Sequence, residues 1–367
     1  MSDKENGVTP AIKMPTGSRL VLSSSPHLST GANLNKIMCG VLLALLPSVI
    51  AATWFFGWRA LFLIIYTTFC CVAAEAVWCA LAGKPVWRTV ADGSAAVTGV
   101  LLALCLPVAV PLYLPPIGAL LAIWLAKQVY GGLGCNPFNP ALVARVGLLI
   151  ALPAAMTLWR PSKGMEKSDY PERKSFIAAD AVTSATPLGV VGVSGKIVNR
   201  SSEAQKHFSK IESEELLKRY FIGDRAGCIG ETCVPALILG YIILVALNLI
   251  NWRVPLLFVG TVALITGTVN FIWPGVTPGM LFHIFNGGLL LGAIFMATDM
   301  VTSPITGNGC VVFAVGCGVI TAVIRIWGNY PEGVSFSILF MNALVPLIDR
   351  WCGLHPFGYV PDRREVK

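Results

Sequence analysis

Ile37-Met38-Cys39-Gly40-Val41-Leu42-Leu43-Ala44-Leu45-Leu46-Pro47-Ser48-Val49-Ile50-Ala51-Ala52-Thr53-Trp54-Phe55-Phe56 contains no charged residue. Twenty such residues wound as an α-helix rise about 30 Å, the thickness of a hydrocarbon core. Further apolar runs follow near 60–82, 94–112, 114–130, 140–159, 233–250, 254–273, 279–298, 308–327 and 334–350, ten in all. A helix satisfies its own backbone in lipid, so the pattern predicts an all-α polytopic membrane protein of about ten transmembrane helices. Composition agrees. Of the 367 residues 55% are hydrophobic and 13% charged, and mean hydropathy is +0.71. A soluble domain carries about 25% charge.

The runs divide five and five around residues 160–232, which hold 12 Lys/Arg and 10 Asp/Glu out of 46 charges. The expected organisation is an N-terminal tail over 1–36, a first five-span repeat over 37–159, an extramembrane loop over 160–232, a second five-span repeat over 233–350 and a C-terminal tail over 351–367. Lys/Arg in short loops set orientation. With a cytoplasmic N-terminus, twelve basic residues fall inside and two, Arg59 and Arg325, outside. Both termini are then cytoplasmic and the 160–232 loop is external, periplasmic in a Gram-negative cell, which places the chain in the cell inner membrane. The polar first 36 residues lack the apolar core of a signal peptide, so the first span is expected to direct insertion.

The halves echo each other. Tyr130-Gly131-Gly132 before Phe138-Asn139-Pro140-Ala141-Leu142 has a counterpart in Trp327-Gly328-Asn329 before Phe336-Ser337-Ile338-Leu339. Gly99-Val100-Leu101-Leu102-Ala103 matches Gly288-Leu289-Leu290-Leu291-Gly292. Five spans repeated after an odd number of crossings give an inverted repeat, whose sites lie near the bilayer midplane at broken helices. The spans after Asp92-Gly93-Ser94 and around Asn286-Gly287-Gly288 are the expected breaks. Inside the loop, Ser202-Glu203-Ala204-Gln205 reads as a capping box opening a helix over 203–221, with Phe208, Ile211, Leu216 and Tyr220 on one face.

The net charge of +8 does not indicate nucleic acid, because the basic residues are scattered at span ends with no basic–aromatic patch. The 11 cysteines include no C-x-x-C pair and sit mostly in apolar runs, which argues against zinc, cysteine-held iron–sulfur clusters and a disulfide framework. No dinucleotide-binding glycine motif is present.

Asp180-Ala181-Val182-Thr183-Ser184-Ala185-Thr186-Pro187-Leu188 lies in the polar loop. Pro187 disfavours the α region at Thr186, so the Thr186 hydroxyl is expected on extended, accessible backbone, flanked by the small Ser184 and Ala185. The run resembles the Ser-Gly-Ala-Thr-Pro-Leu acceptor site of the RnfD/NqrB family of membrane redox subunits. Further motifs carry the resemblance across roughly 20–350. They are Ser25-Pro26-His27-Leu28 with Lys36-Ile37-Met38; Asp92-Gly93-Ser94-Ala95 with Thr98-Gly99; Gly131-Gly132-Leu133-Gly134-Cys135-Asn136-Pro137-Phe138-Asn139-Pro140-Ala141; and Ala297-Thr298-Asp299 with Ser303-Pro304. The length and short N-terminal tail favour the RnfD branch.

The resemblance implies a subunit of an ion-translocating ferredoxin:NAD⁺ oxidoreductase, with FMN bound covalently to Thr186 as a phosphoester. Asp180, Ser184 and Pro187 would stand around the acceptor. It implies a urea-channel-like fold, an RnfG-like flavoprotein partner, other complex subunits, surrounding membrane lipid and a flavin transferase for maturation. It leaves open a second, non-covalent flavin such as riboflavin. It does not imply catalysis by this chain alone. Thr183-Ser184 stands where the family shows Ser-Gly.

A charge at the bilayer centre costs about 2.5–3.5 kcal/mol, so each intramembrane charge needs a partner or water. Glu75 and Arg145 are the deepest, readable as an intramembrane pair or as lining an ion path. Lys127, Arg325 and Asp349 read as span-end charges. Asp299, in a polar break, is a candidate for cofactor or ion contact. Asn136-Pro137-Phe138-Asn139-Pro140 is either a cavity wall holding flavin or a turn in which Asn139 caps the helix after Pro140. Two other readings stand beside the electron carrier: a urea-channel-like permease for a small neutral solute, and a cofactor-free scaffold. Na⁺ and H⁺ remain equal candidates for the coupled ion.

Overall fold

The computed structural model describes residues 34–160, 172–174, 182–184, 188, 213–274, 276–328 and 333–353. Five helices among them are long and apolar enough to cross a membrane. They are α1 (Leu34–Phe56), α2 (Trp58–Leu81), α10 (Arg253–Ile272), α13 (Gly307–Trp327) and α14 (Val334–Trp351). Only Gly57 separates α1 from α2, and the two pack side by side. Their outer faces carry exposed Trp54, Trp58, Phe62 and Phe69, and α10 adds Phe271 at 88% exposure. Rings so exposed fit lipid and its interface.

The other apolar runs form shorter helices. α3 (Val86–Val90) and α4 (Ser94–Leu104) are followed by α5 (Leu114–Ala119), which continues into wider π-turns over Leu120–Gln128. α6 (Pro140–Ala151) and α7 (Pro153–Met156) close the first half. The second half opens with α9 (Val234–Ala246). α11 (Met280–Phe285) stops at Asn286, and α12 (Leu289–Leu291) continues into π-turns over Gly292–Met296. With eleven residues, α4 rises about 16 Å, half a hydrocarbon core.

Close helix approach depends on missing side chains. A Cβ at Gly99 would lie 2.6 Å from Thr68 Cα, where α4 meets α2. One at Gly240 would lie 2.5 Å from the Ala44 carbonyl oxygen, where α9 meets α1. One at Gly318 would lie 2.6 Å from Thr261 Cβ, where α13 meets α10. Pairings in the first half recur in the second: α2 with α3 and α10 with α11, α2 with α5 and α10 with α13, and the π-turns of 120–128 with α6 and α13 with α14.

Three features differ from the sequence expectations. A short antiparallel ribbon, β1 (Glu172–Lys174) on β2 (Val182–Ser184), interrupts the all-α pattern, Glu172 facing Ser184. Val182 and Thr183 are β-branched and favour the extended form. The loop helix is described only as α8, Glu214–Ile222, after Ser213; the capping box at 202–205 lies outside the described residues. Residues 223–232, grouped with the polar loop, are almost wholly buried. Ile229 N–H donates to the Leu106 carbonyl at 3.1 Å and Gly230 N–H to that of Leu104 at 2.8 Å. The polar appearance of this segment comes from Arg225 and Glu231, whose partners are internal.

Candidate functional site

Two polar regions lie toward opposite ends of the 23-residue α1, which spans about 35 Å. One borders Leu34, Ile37 and Met38; the other includes Gly223, where an added Cβ would touch Phe55.

The first is a cavity of about 360 Å³. The starts of α1 and α4, the π-turn side chains Lys127 and Phe295, the 133–140 segment and 298–301 wall it in. π-turns are often found at functional sites, because the extra residue per turn re-aims a side chain. Here they bring Lys127 inward. Its ammonium donates to Glu75 Oε1 at 2.5 Å and to Ser94 Oγ at 2.6 Å. Gln128 Nε2 donates to the same Glu75 oxygen at 2.8 Å. Ser94 N–H and Oγ–H both reach Asp92 Oδ1, at 2.8 and 2.5 Å. Glu75 Oε2 has no hydrogen-bond partner among the described residues.

Asn136 and Asn139 both line this cavity. Asn139 Oδ1 accepts from Ala141 and Leu142 N–H at 3.1 and 3.4 Å, capping α6 with Pro140 in its first turn. Its Nδ2 donates to the Met296 carbonyl at 3.4 Å. Cap and cavity wall are therefore the same residue. Asn136 Nδ2 donates to the Phe138 carbonyl at 3.1 Å, while its buried Oδ1 is left without a partner among the described residues. Asp299 closes another side, its Oδ2 accepting from Thr302 Oγ at 3.1 Å.

The second region is centred on the gap between α11 and α12. Gly287 has φ +68, a conformation that glycine adopts without the Cβ penalty. Arg325, on α13, donates to the carbonyls of His283 at 2.6 Å and Asn286 at 3.2 Å. It thereby holds the C-terminal end of α11, where cations are favoured. Arg225 donates to Asn286 Oδ1 at 3.0 Å and to the Glu231 carbonyl. Arg145, on α6, pairs with Glu231 at 3.2 Å. A Cβ at Gly288 would lie 2.8 Å from Glu231 Oε1, so glycine admits the carboxylate. His283 Nε2 lies 2.7 Å from Thr277 Oγ, and its Nδ1 has no partner among the described residues.

Leu188 is buried beside this gap with Tyr220 and Phe282, against Leu216, Leu217 and Phe285. Tyr220 and Phe282 meet edge-on at 5.9 Å. Asp180, Thr186 and Pro187 lie outside the described residues, and Ser184 is described only as the last residue of β2.

Glu75 and Arg145 do not pair with each other: Glu75 meets Lys127, and Arg145 meets Glu231. Lys127 and Arg325 do stand in the last turns of their helices, as span-end charges would, but at 1% and 8% exposure neither snorkels outward. Sequence position suggested ends; π-winding and the α11 gap turn both inward. Asp349 is half-buried, its Oδ1 accepting from Ile305 N–H at 3.1 Å. Reading by hydropathy missed Glu231 and Arg225, and took Asn286 for a helix break without its side-chain role. The usable signal was Arg145 itself, a buried cation that required a carboxylate nearby.

Broken helices around buried charge and a partly open, mostly apolar cavity mark a multi-pass membrane protein that is more than a simple anchor. The NQR2, RnfD, RnfE family model matches residues 21–358, and the chain belongs to that family. It is 41% identical over 337 residues to the D-type subunit of the proton-translocating ferredoxin:NAD(+) oxidoreductase complex of Clostridium ljungdahlii, covering 92% of this chain and 96% of that protein. It is 42% identical to the D-type subunit of the ion-translocating oxidoreductase complex of Stutzerimonas stutzeri, over 89% and 93%. It is 38% identical to the D-type subunit of the Na(+)-translocating ferredoxin:NAD(+) oxidoreductase complex of Acetobacterium woodii, over 95% and 98%.

Proposed function

We propose that this chain is the D-type membrane subunit of an ion-translocating ferredoxin:NAD⁺ oxidoreductase, carrying electrons through FMN bound covalently to Thr186. The observation that carries this is the seating of Leu188 in its aromatic patch, within a chain of this family. Leu188 is the last residue of the acceptor run, and it is buried beside the α11–α12 gap. Small Ser184 and Ala185 leave room for the group, and Asp180 would stand near its phosphate. The bound flavin would supply reversible electron storage; the protein anchors and orients it. Loading requires a flavin transferase, since a threonine hydroxyl is not a nucleophile unaided.

The cavity at the other end fits a second, non-covalent flavin such as riboflavin. Ligand sites are mostly apolar with a few convergent polar groups, in volumes of about 300–1,000 Å³. This cavity offers apolar walls, Lys127, Asp299 and the Asn136 oxygen, which has no partner among the described residues. Asn136 Oδ1 would accept from a ring N–H and Lys127 would donate to a ring oxygen or nitrogen. The recurring helix pairings support two inverted five-helix repeats of the urea-channel type. With the basic loops cytoplasmic, the cavity faces the cytoplasm and Leu188 the periplasm of an inner membrane. Partners would be the other complex subunits, an RnfG-like flavoprotein among them.

The test is a denaturing gel of protein produced with a flavin transferase, viewed for flavin fluorescence. The wild type should fluoresce and Thr186→Val should not. A dark wild-type band would refute covalent attachment, and solute flux through the isolated chain in liposomes would favour the permease.

A further inference from the structure

Asp92, Ser94, Lys127 and Glu75 form one hydrogen-bonded chain. Ser94 Oγ–H donates to Asp92 Oδ1 at 2.5 Å and its oxygen accepts from the Lys127 ammonium at 2.6 Å. Lys127 donates in turn to Glu75 Oε1. Burial rises along the chain. Asp92 is half-buried beside exposed Ala91, whereas Ser94, Lys127 and Glu75 are 4%, 1% and 0% exposed. Gly93, at φ +78, makes the turn that sets Asp92 and Ser94 side by side. A hydroxyl that donates to one titratable group and accepts from another can pass a proton by exchanging those two roles. Ser94 and Lys127 also line the cavity, so an occupant that fills it lies against both. An ammonium has three N–H donors, and contacts among the described residues take two of them. Negative charge that builds on an occupant between apolar walls is costly unless a proton follows it.

We propose that Asp92, Ser94 and Lys127 are a proton path from water to the cavity, and that they protonate a ring bound there as it is reduced. This rests on the non-covalent flavin reading above. Lys127 gives one N–H proton to a ring nitrogen while a low-potential one-electron donor supplies the ring with one electron. The Lys127 amine then takes the Ser94 hydroxyl proton, and Ser94 takes one that Asp92 has picked up from water. One electron and one proton have entered, and every protein group ends as it began. Glu75 is a positioning residue. Its carboxylate, held also by Gln128, would be left buried beside a neutral amine, which drives the return of a proton to Lys127. The other carboxylate at the cavity, Asp299, accepts from Thr302. On α6, which packs against the π-turns, Arg145 pairs with Glu231.

The test uses the detergent-solubilised full chain with Thr186→Val, which leaves only flavin held without a covalent bond. Riboflavin is the probe, counted per chain after denaturation. Dithionite reduces it in a stopped-flow cell, with ring absorbance and proton uptake by a pH-indicator dye followed together. A positioned acid contributes about 10²–10⁴-fold to proton transfer. Ser94→Ala should therefore slow proton uptake at least about tenfold with the midpoint potential unmoved, because a path sets the rate and not the equilibrium. Ser94→Thr, which restores a hydroxyl, should recover the rate, and Asp92→Asn should be slowed like Ser94→Ala. A fully loaded Ser94→Ala chain that takes up protons at the unmodified rate overturns the proposal. So does a slowed rate matched by a shifted midpoint, which marks a changed site and not a cut path. If Ser94→Ala does not load, an unslowed Asp92→Asn overturns it. A chain with native Ser94 and Asp92 that releases no riboflavin removes the underlying reading, a result distinct from full loading with unaltered kinetics.

Discussion

Lys127 donates to Glu75 at 2.5 Å across 52 residues of sequence, with neither side chain more than 2% exposed. The contact joins α2 to the π-turns that follow α5. Lys127 also lines the cavity, so one member of this ion pair forms part of its wall.

Breaking a buried pair from one side leaves an uncompensated charge and costs about 3–5 kcal/mol. Lys127→Met should therefore lower the thermal midpoint of the detergent-solubilised protein markedly. Glu75→Gln with Lys127→Met should recover most of that loss. Losses that simply add would show that the two side chains do not depend on each other.

Asn139 both caps α6 and walls the cavity. Asn139→Ala should cost about 1 kcal/mol of stability, read in the same thermal assay, whereas Asn139→Asp, which keeps the acceptor oxygen, should cost less. Equal losses for the two variants would mean that the cap is not what Asn139 contributes.

The Asn136 Oδ1, without a partner among the described residues, predicts a ligand contact. Asn136→Ala should weaken non-covalent flavin binding about tenfold, the equivalent of one hydrogen bond of about 1.4 kcal/mol. Flavin released on denaturation, counted per chain after equilibrium dialysis, gives the measurement. Unaltered retention would place the flavin elsewhere.

Gly287 is constrained twice, by its φ of +68 and by Arg325 Nη2 at 2.8 Å from any added Cβ. The left-handed conformation alone costs about 1–2 kcal/mol for another residue. Gly287→Ala should lose at least that much stability. Gly260, where an added Cβ meets nothing within 4 Å, gives the comparison: Gly260→Ala should be neutral or stabilising. The idea fails if both variants melt alike.

Much of this architecture can be read from hydropathy. Each apolar run carries a helix because lipid leaves the backbone no other partner, and Asn139-Pro140 announces the start of α6. The gap at Asn286–Gly288 was readable because polar and glycine residues interrupt an apolar run there. Partners of the buried charges were not readable. A run of sequence shows that Lys127 is basic, but π-winding decides which way it points, and that depends on packing against α6 and α2. Glu231 and Arg225 were hidden by their own polarity. They look like solvent-facing residues because their partners, the Arg145 guanidinium for Glu231 and the Asn286 side-chain oxygen for Arg225, lie 86 and 61 residues away.

The half-length helix α4 ends where Gly230 and Ile229 donate to the carbonyls of Leu104 and Leu106. This is a two-rung ladder between the middle of the first half of the chain and the segment that enters the second. Rungs of this kind resist sliding, because each N–H would be left without an acceptor in a place without water. The halves are thus joined by a seam, not a hinge. A displacement imposed on the 223–232 segment from outside the membrane would be handed to α4 at mid-depth, and α4 begins at Ser94, the residue that touches Lys127.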